Sequence, residues 1–215
     1  MTPQQEIFKL ALKQHPLSLA LVAAGVKPSS YCQVKVSKSL INKIDEQFVY
    51  QSIKEFPGVG FYVFPQWFSM KDKSDKIIQL MIFNDQALQE ILPILNQSQY
   101  SFNFKNANDI RLTNIGFYKL VRTKKNWSPT MKQDVTVVCG LSFGFPEHST
   151  LKFGAEVLIE KMVAKRTAYE IKQEKNLVFI GYPETKDESE KTITKWYEFK
   201  KSKKYQSVVS QLELI

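Results

Sequence analysis

Hydrophobic residues near the start of the chain recur with helical spacing. Ile7, Leu10 and Ala11 would lie on one face of a helix. Thr2 and Gln5 have the Thr-x-x-Gln spacing of a capping box, in which each side chain accepts a hydrogen bond from the backbone N–H of the other residue. The pattern therefore predicts a helix that begins just after Thr2.

Two more helices are predicted before the first strand. An apolar run over residues 17–24 is closed by a glycine, which is typical of a short helix and its C-terminal cap. Ile41 and Ile44 begin a periodic stretch with charged residues between the apolar ones, and this predicts a longer helix that ends before Pro57. We therefore expect residues 1–57 to form an N-terminal helical segment.

Apolar runs separated by polar turns predict three β-hairpins in the rest of the chain. The hairpins span residues 59–83, 111–143 and 177–199. A further short strand is predicted over residues 100–104, where aromatic and polar residues alternate. Strands that follow one another in hairpins pair antiparallel, so most of the sheet is expected to be antiparallel.

Two helices are predicted between these hairpins. The first begins at Asn84 or Asp85, where a short polar side chain can cap it, and Pro93 shortens it. The second begins at Ser149 or Thr150 and carries apolar residues at helical spacing. Helices packed on an antiparallel sheet define the α+β class.

The expected organisation is an α+β body of residues 58–215 on which the N-terminal helical segment packs. A chain of 215 residues is within the range of one α+β domain. No Pro-, Gly- or Ser-rich linker divides it. We therefore expect a single domain, with a mostly antiparallel sheet built from hairpins and packed helices.

Cysteine use and hydropathy bear on the compartment. Cys32 and Cys139 are the only cysteines, and they lie far apart without the spacing of a zinc site or a disulfide framework. The longest apolar run, residues 17–26, is too short to span a bilayer. We therefore expect reduced, buried thiols, a cytoplasmic location and no membrane partner.

Positive charge is concentrated in two stretches of a chain with a net charge of +9. Residues 111–133 contain no acidic residue, and residues 199–215 contain only Glu213. The basic residues of these stretches are Arg111, Lys119, Arg122, Lys124, Lys125, Lys132, Lys200, Lys201, Lys203 and Lys204. Clustered cations of this kind attract polyanions.

Aromatic residues accompany both basic stretches. Tyr118 and Trp127 lie beside the first, and Trp196 precedes the second. Cations for phosphates and flat rings for base stacking are what single-stranded nucleic acid binding requires. The alternative is a solvated basic surface, because 27 of the 30 basic residues are lysine, a common surface residue.

The sequence contains no recognisable catalytic motif. No Gly-rich phosphate loop or Gly-x-Ser-x-Gly elbow occurs, and His15 and His148 are the only histidines. Asp134 and Glu184 lie at predicted strand ends, where carboxylates could bind a divalent ion as in metal-dependent nucleases. We therefore expect that the protein binds no cofactor, and the sequence favours a protein that is not an enzyme.

Three hypotheses follow for function. The first is a non-enzymatic protein that binds RNA or single-stranded DNA as a subunit of a larger ribonucleoprotein-type assembly with protein partners. The second is a protein-interaction module, suggested by the aromatic run over residues 61–68. The third is the metal-dependent nuclease.

Overall fold

A computed structural model gives the protein an α+β fold. It describes residues 1–44, 50–69, 76–97, 102–122, 128–158, 166–171 and 177–215. The strands are β1 (Ser29–Val36), β2 (Gln51–Ser52), β3 (Val59–Ser69), β4 (Lys76–Asn84), β5 (Thr167–Glu170) and β6 (Val178–Gly181). The α-helices are α1 (Pro3–Gln14), α2 (Pro16–Ala23), α3 (Lys38–Ile41), α4 (Asp85–Glu90), α5 (Leu92–Leu95), α6 (Ala107–Arg122), α7 (Pro129–Ser142), α8 (Glu147–Leu158), α9 (Lys186–Lys201) and α10 (Lys203–Leu212).

The chain forms two compact units. The first unit consists of residues 1–84 and 198–215, and the second unit consists of residues 85–197. The first unit contains a four-stranded antiparallel sheet, and the second contains a two-stranded antiparallel sheet. The expectation of a single domain stays a prediction.

The sheet of the first unit has the strand order β1-β4-β3-β2. The hairpin predicted over residues 59–83 is confirmed as β3 and β4, in which Phe61 pairs with Ile82. Both residues are buried, and the Phe8 ring of α1 lies 4.6 Å from that of Phe61. The core of this unit therefore lies between α1, α2 and the sheet.

The two N-terminal helices begin and end as the sequence predicts. The Thr2–Gln5 capping box is present at the start of α1. At the end of α2, Gly25 adopts a φ of 70°, and the Val26 N–H donates to the Leu21 carbonyl at 2.9 Å. This is a Schellman cap, which favours glycine because other residues are strained at that φ.

The helix predicted from Ile41 toward Pro57 is wrong in the described residues. The only helix there is the single turn α3, which ends at Ile41, and the short strand β2 follows. The strand β1 was also missed, although Val34 and Val36 are buried and the intervening Lys35 is exposed. That alternation is the period of a half-buried strand.

The end of α1 covers the free edge of β1. The Gln14 side chain accepts a hydrogen bond from the Lys35 N–H at 2.9 Å and donates one to the Lys35 carbonyl at 3.1 Å. His15 Nε2 lies 2.9 Å from the Gln33 carbonyl. Backbone groups that a neighbouring strand would otherwise pair with are thereby satisfied.

The hairpin predicted over residues 111–143 is wrong, because the helices α6 and α7 occupy this stretch. The run Val135-Thr136-Val137-Val138 has high strand propensity. However, the Ser128 hydroxyl caps α7 by accepting from the Met131 N–H at 3.2 Å, and a proline takes the first helical position. Helix-start chemistry and burial therefore outweigh local strand propensity.

The last predicted hairpin is half correct. Its first strand is confirmed as β6, which pairs with β5, but its second strand is wrong because α9 lies there. Ser189 and Trp196 are buried seven residues apart, which is two helical turns. In residues 102–104 the predicted strand is absent, whereas the predicted helices at Asp85 and Ser149 are confirmed as α4 and α8.

Buried polar contacts join α8 to two residues that flank the small sheet of the second unit. The Glu156 carboxylate is 6% exposed and forms an ion pair with Arg166. It also accepts a hydrogen bond from the Tyr182 hydroxyl at 3.0 Å. Burial and the adjacent Glu156 raise the pKa of Tyr182 to about 12, so this phenol stays protonated at neutral pH.

Candidate nucleic-acid interface

The first predicted basic residue, Arg111, has partners within the second unit. It is 9% exposed, its Nη1 lies 3.4 Å from Asp85 Oδ1, and its Nη2 donates to Asn108 Oδ1 at 3.0 Å. Burial raises the pKa of the Asp85 carboxyl, and the Arg111 charge opposes that shift. The guanidinium therefore ties α6 to α4 and does not face solvent.

The other predicted residues near it are not arranged at a hairpin tip. Tyr118, Lys119 and Arg122 lie in the second half of α6, and Lys132 is half-buried near the start of α7. Lys124, Lys125 and Trp127 lie outside the described residues. The predicted hairpin, which would have brought these residues together to bind nucleic acid, is replaced by the two helices α6 and α7.

The four predicted lysines of the tail lie together where α9 ends and α10 begins. Lys201, Lys203 and Lys204 are exposed, and Lys200 is half-buried. We call these four residues the basic corner. All belong to the first unit.

The basic corner is built on a fixed turn. The Ser202 hydroxyl donates to the Phe199 carbonyl at 2.7 Å and accepts from the Tyr205 N–H at 3.2 Å, so it caps α10. The rings of Phe199 and Tyr205 meet edge to face with their centroids 5.9 Å apart. The backbone that carries the lysines is therefore anchored on both sides.

The electrostatics at the corner favour an anion. Lys203 and Lys204 occupy the first turn of α10, which contains no acidic residue. The N-terminal end of a helix carries a partial positive charge, so cations there are unfavourable by a few tenths of a kcal/mol, and an anion relieves the repulsion. Lys200 and Lys201, in the last turn of α9, add further positive charge.

The net charge is concentrated in the same unit. Residues 1–84 and 198–215 contain 14 basic and 8 acidic side chains, against 16 and 13 in residues 85–197. Lys9 and Lys13 of α1 line a groove of about 400 Å³ with Val209 of α10 and Glu213, the residue that follows α10. These two lysines are not among the predicted site residues, although their spacing of four places both on one face of a helix.

Trp196 is not available for base stacking, contrary to what its position before the tail lysines suggests. It is 1% exposed, and its ring meets that of Phe179 edge to face at 5.8 Å. Phe61 and Phe64, from the aromatic run that suggested a protein-interaction module, are also buried. The structure does not describe the side chains of residues 65–68, which complete this run.

The residues named for the nuclease hypothesis do not meet in a metal site. Asp134 is 8% exposed within α7, and Glu184 forms an ion pair with Lys152. In the part of the chain that the structure describes, no three His, Cys, Asp or Glu side chains are grouped so that they could hold a metal ion. The nuclease hypothesis therefore gains no support.

Comparisons with known proteins do not assign the chain to a family. No protein-family model matches the chain, and no curated protein or solved structure matches it either. Within the described ranges, no helix has both the length and the apolar character needed to cross a bilayer.

Proposed function

We propose that this protein binds RNA or single-stranded DNA through the basic corner, without catalysing a reaction, as a subunit of a larger ribonucleoprotein-type assembly. The observation that carries the proposal is three exposed lysines within four residues, Lys201, Lys203 and Lys204, on an anchored turn. The proposed location is cytoplasmic, in keeping with two buried cysteines, neither of which forms a disulfide.

The proposed contact is with phosphates. A lysine ammonium is a compact point charge that neutralises phosphate without reading the base. The Tyr205 ring is half-buried against Phe199, so it offers little surface for stacking. Binding is therefore expected to depend strongly on salt and weakly on nucleotide sequence.

The test is fluorescence anisotropy with short labelled oligo-U and oligo-dT strands at salt concentrations from about 50 to about 200 mM. The double variant Lys203→Glu/Lys204→Glu should weaken binding at low salt by about tenfold or more. It should also make the slope of log K against log salt shallower by about 1.4, since each phosphate contact on a single strand contributes about 0.7.

The charge reversal has a useful structural property. Glutamates in the first turn of α10 interact favourably with the helix N-terminus, so the variant should fold at least as well as the native chain. The matched control is Lys38→Glu/Lys43→Glu, which changes the net charge equally at two exposed positions of the same unit. Absence of binding at low salt, or equal losses in both variants, would contradict the proposal.

A further inference from the structure

A cleft of about 320 Å³ lies in the second unit between α7, α8 and β6. Cys139 and Phe179 are buried at its floor, and Phe143, Phe145 and Phe153 are half-buried at its rim. This volume is at the lower end of the range for small-molecule sites in proteins. The cleft is open to solvent and large enough for a small organic molecule.

Close contact between α7 and α8 forms part of the wall of the cleft. A methyl group on Gly140 would lie 2.5 Å from Thr150 Cγ2, so α7 and α8 touch at this point. Gly144, with a φ of 68°, ends α7 in a Schellman cap in which the Phe145 N–H donates to the Gly140 carbonyl at 3.0 Å. The turn brings the Phe145 ring to 5.6 Å from that of Phe179.

The chemistry of the walls favours an uncharged molecule. None of the described residues that line the cleft is acidic, basic or a histidine. Burial raises the pKa of the Cys139 thiol, so it is neutral at physiological pH. Two hydroxyl groups of the wall already donate their protons within the protein. Ser149 donates to Thr185 Oγ1, and Thr136 donates to the Lys132 carbonyl, both at 2.7 Å. A charged ligand would find no countercharge among these lining residues.

The arrangement of rings favours an aromatic molecule. Phe145, Phe179 and Tyr169 form a stacked series, with the last two centroids 5.4 Å apart and their planes inclined by 12°. Phe143 and Phe153 add two more rings to the rim. Aromatic pairs gain free energy beyond the area that they bury, an advantage that an alkyl chain lacks.

The geometry points to this cleft as a binding site for a small, uncharged aromatic molecule. The site does not involve the basic corner, because every described residue that lines the cleft belongs to the second unit and none of these residues is basic. Its ligand is held by ring contacts and apolar burial between α7, α8 and β6.

The uncharged fluorophore N-phenyl-1-naphthylamine tests the inference by titration into the full chain, with emission as the readout. Thr136→Phe fills the cleft from α7 and should weaken binding by about tenfold or more. The matched control is Thr192→Phe, because Thr192 is also a half-buried helical threonine that donates to the carbonyl four residues earlier, at 3.0 Å, yet does not line the cleft. The control should bind like the native chain.

A second filling variant acts from the opposite wall. Val178→Phe places a good strand former on β6 and should likewise weaken binding by about tenfold or more, so the result does not depend on α7 tolerating a larger residue. Circular dichroism and thermal unfolding confirm that each variant is folded. Absence of probe binding to the native chain, or equal binding by the filled variants and the control, would overturn the inference.

Competition identifies the ligand class. Naphthalene should displace the probe, whereas decanoate, which carries a charge and no ring, should not. Displacement by decanoate at lower concentration than by naphthalene would assign the cleft to lipid-like carboxylates and refute the aromatic class. In either case oligonucleotide binding at the basic corner is measured separately and is expected to be unchanged.

Discussion

Lys27 is a lysine in the core of the first unit, between α2 and β1. It is 1% exposed, and its ammonium lies 3.4 Å from Ser30 Oγ. Burial lowers the pKa of Lys27 to about 7 from a usual value near 10.5, and the nearby Cys32 opposes that shift. Desolvation of an ammonium is unfavourable, so the folded state favours the neutral amine.

The lowered pKa of Lys27 predicts that the protein becomes more stable as the pH rises from about 7 to about 10.5. In that range the unfolded chain binds a proton that the folded chain has released, so the free energy of unfolding increases with pH. Lys27→Met should flatten this increase and stabilise the protein at pH 7 by about 1 kcal/mol or more. Urea unfolding at pH 7 and pH 9 measures both effects.

Two controls separate Lys27 from other titrations. Lys38→Met changes an exposed lysine and should leave the pH dependence intact. A Cys32→Ala background removes the thiol whose charge acts on Lys27. An unchanged slope in Lys27→Met would show that Lys27 is charged or accessible in the folded state.

At the scale of elements, the contact between α7 and α8 depends on glycine. Gly140→Ala would place a methyl group 2.5 Å from Thr150 Cγ2, and we expect it to lower the free energy of unfolding by about 1 to 3 kcal/mol. Thr150→Ser in that background removes Cγ2 and should restore part of the loss. Thermal or urea unfolding provides the measurement.

The matched control is Gly116→Ala in α6. Among the described residues outside its own helical turn, no heavy atom lies within 4 Å of a methyl group at Gly116, so helix propensity should stabilise this variant by about 0.5 to 1 kcal/mol. We therefore expect Gly140→Ala to lower the free energy of unfolding and Gly116→Ala to raise it. Stabilisation by Gly140→Ala would mean that the helices can separate at no cost.

Local chemistry made some elements predictable. The capping box of Thr2 and the glycine cap at Gly25 are short-range signals, and α1 and α2 were predicted from them. The apolar runs of β3 and β4 are equally local. By contrast, α7 begins with the helix-start pair Ser128-Pro129 but continues into β-branched residues, and the strand propensity of those residues misled the prediction.

The helix α9 was missed for a similar reason. Its aromatic residues around Trp196 are typical of strands, whereas its acidic first turn and basic last turn complement a helix dipole. The tail lysines were identified from sequence, but their exposure depends on which face of each helix is buried. The cleft was not predictable, because α7, α8 and β6 each contribute only part of its wall.

At the scale of the molecule, the first unit is assembled from both ends of the chain. Residues 198–215 belong with residues 1–84, and α10 packs on α2 with Val208 and Leu212 buried. The last eighteen residues therefore complete a core that begins at the N-terminus.

Truncation to residues 1–197 should destabilise the first unit selectively. Loss of Val208 and Leu212 would expose apolar surface of α2, so amide hydrogen exchange should accelerate over residues 16–23 and change less over residues 129–142. Mass spectrometry of exchanged peptides measures the difference. Equal acceleration in both ranges would show that the two units unfold together.

The covered edge of β1 affects whether sheets of different molecules can join. A sheet grows by adding strands at its edges, and one edge here is occupied by hydrogen bonds from Gln14 and His15. The opposite edge, β2, is only two residues long. The covered part of β1 is therefore a poor starting point for strand-by-strand polymerisation, even in a crowded environment.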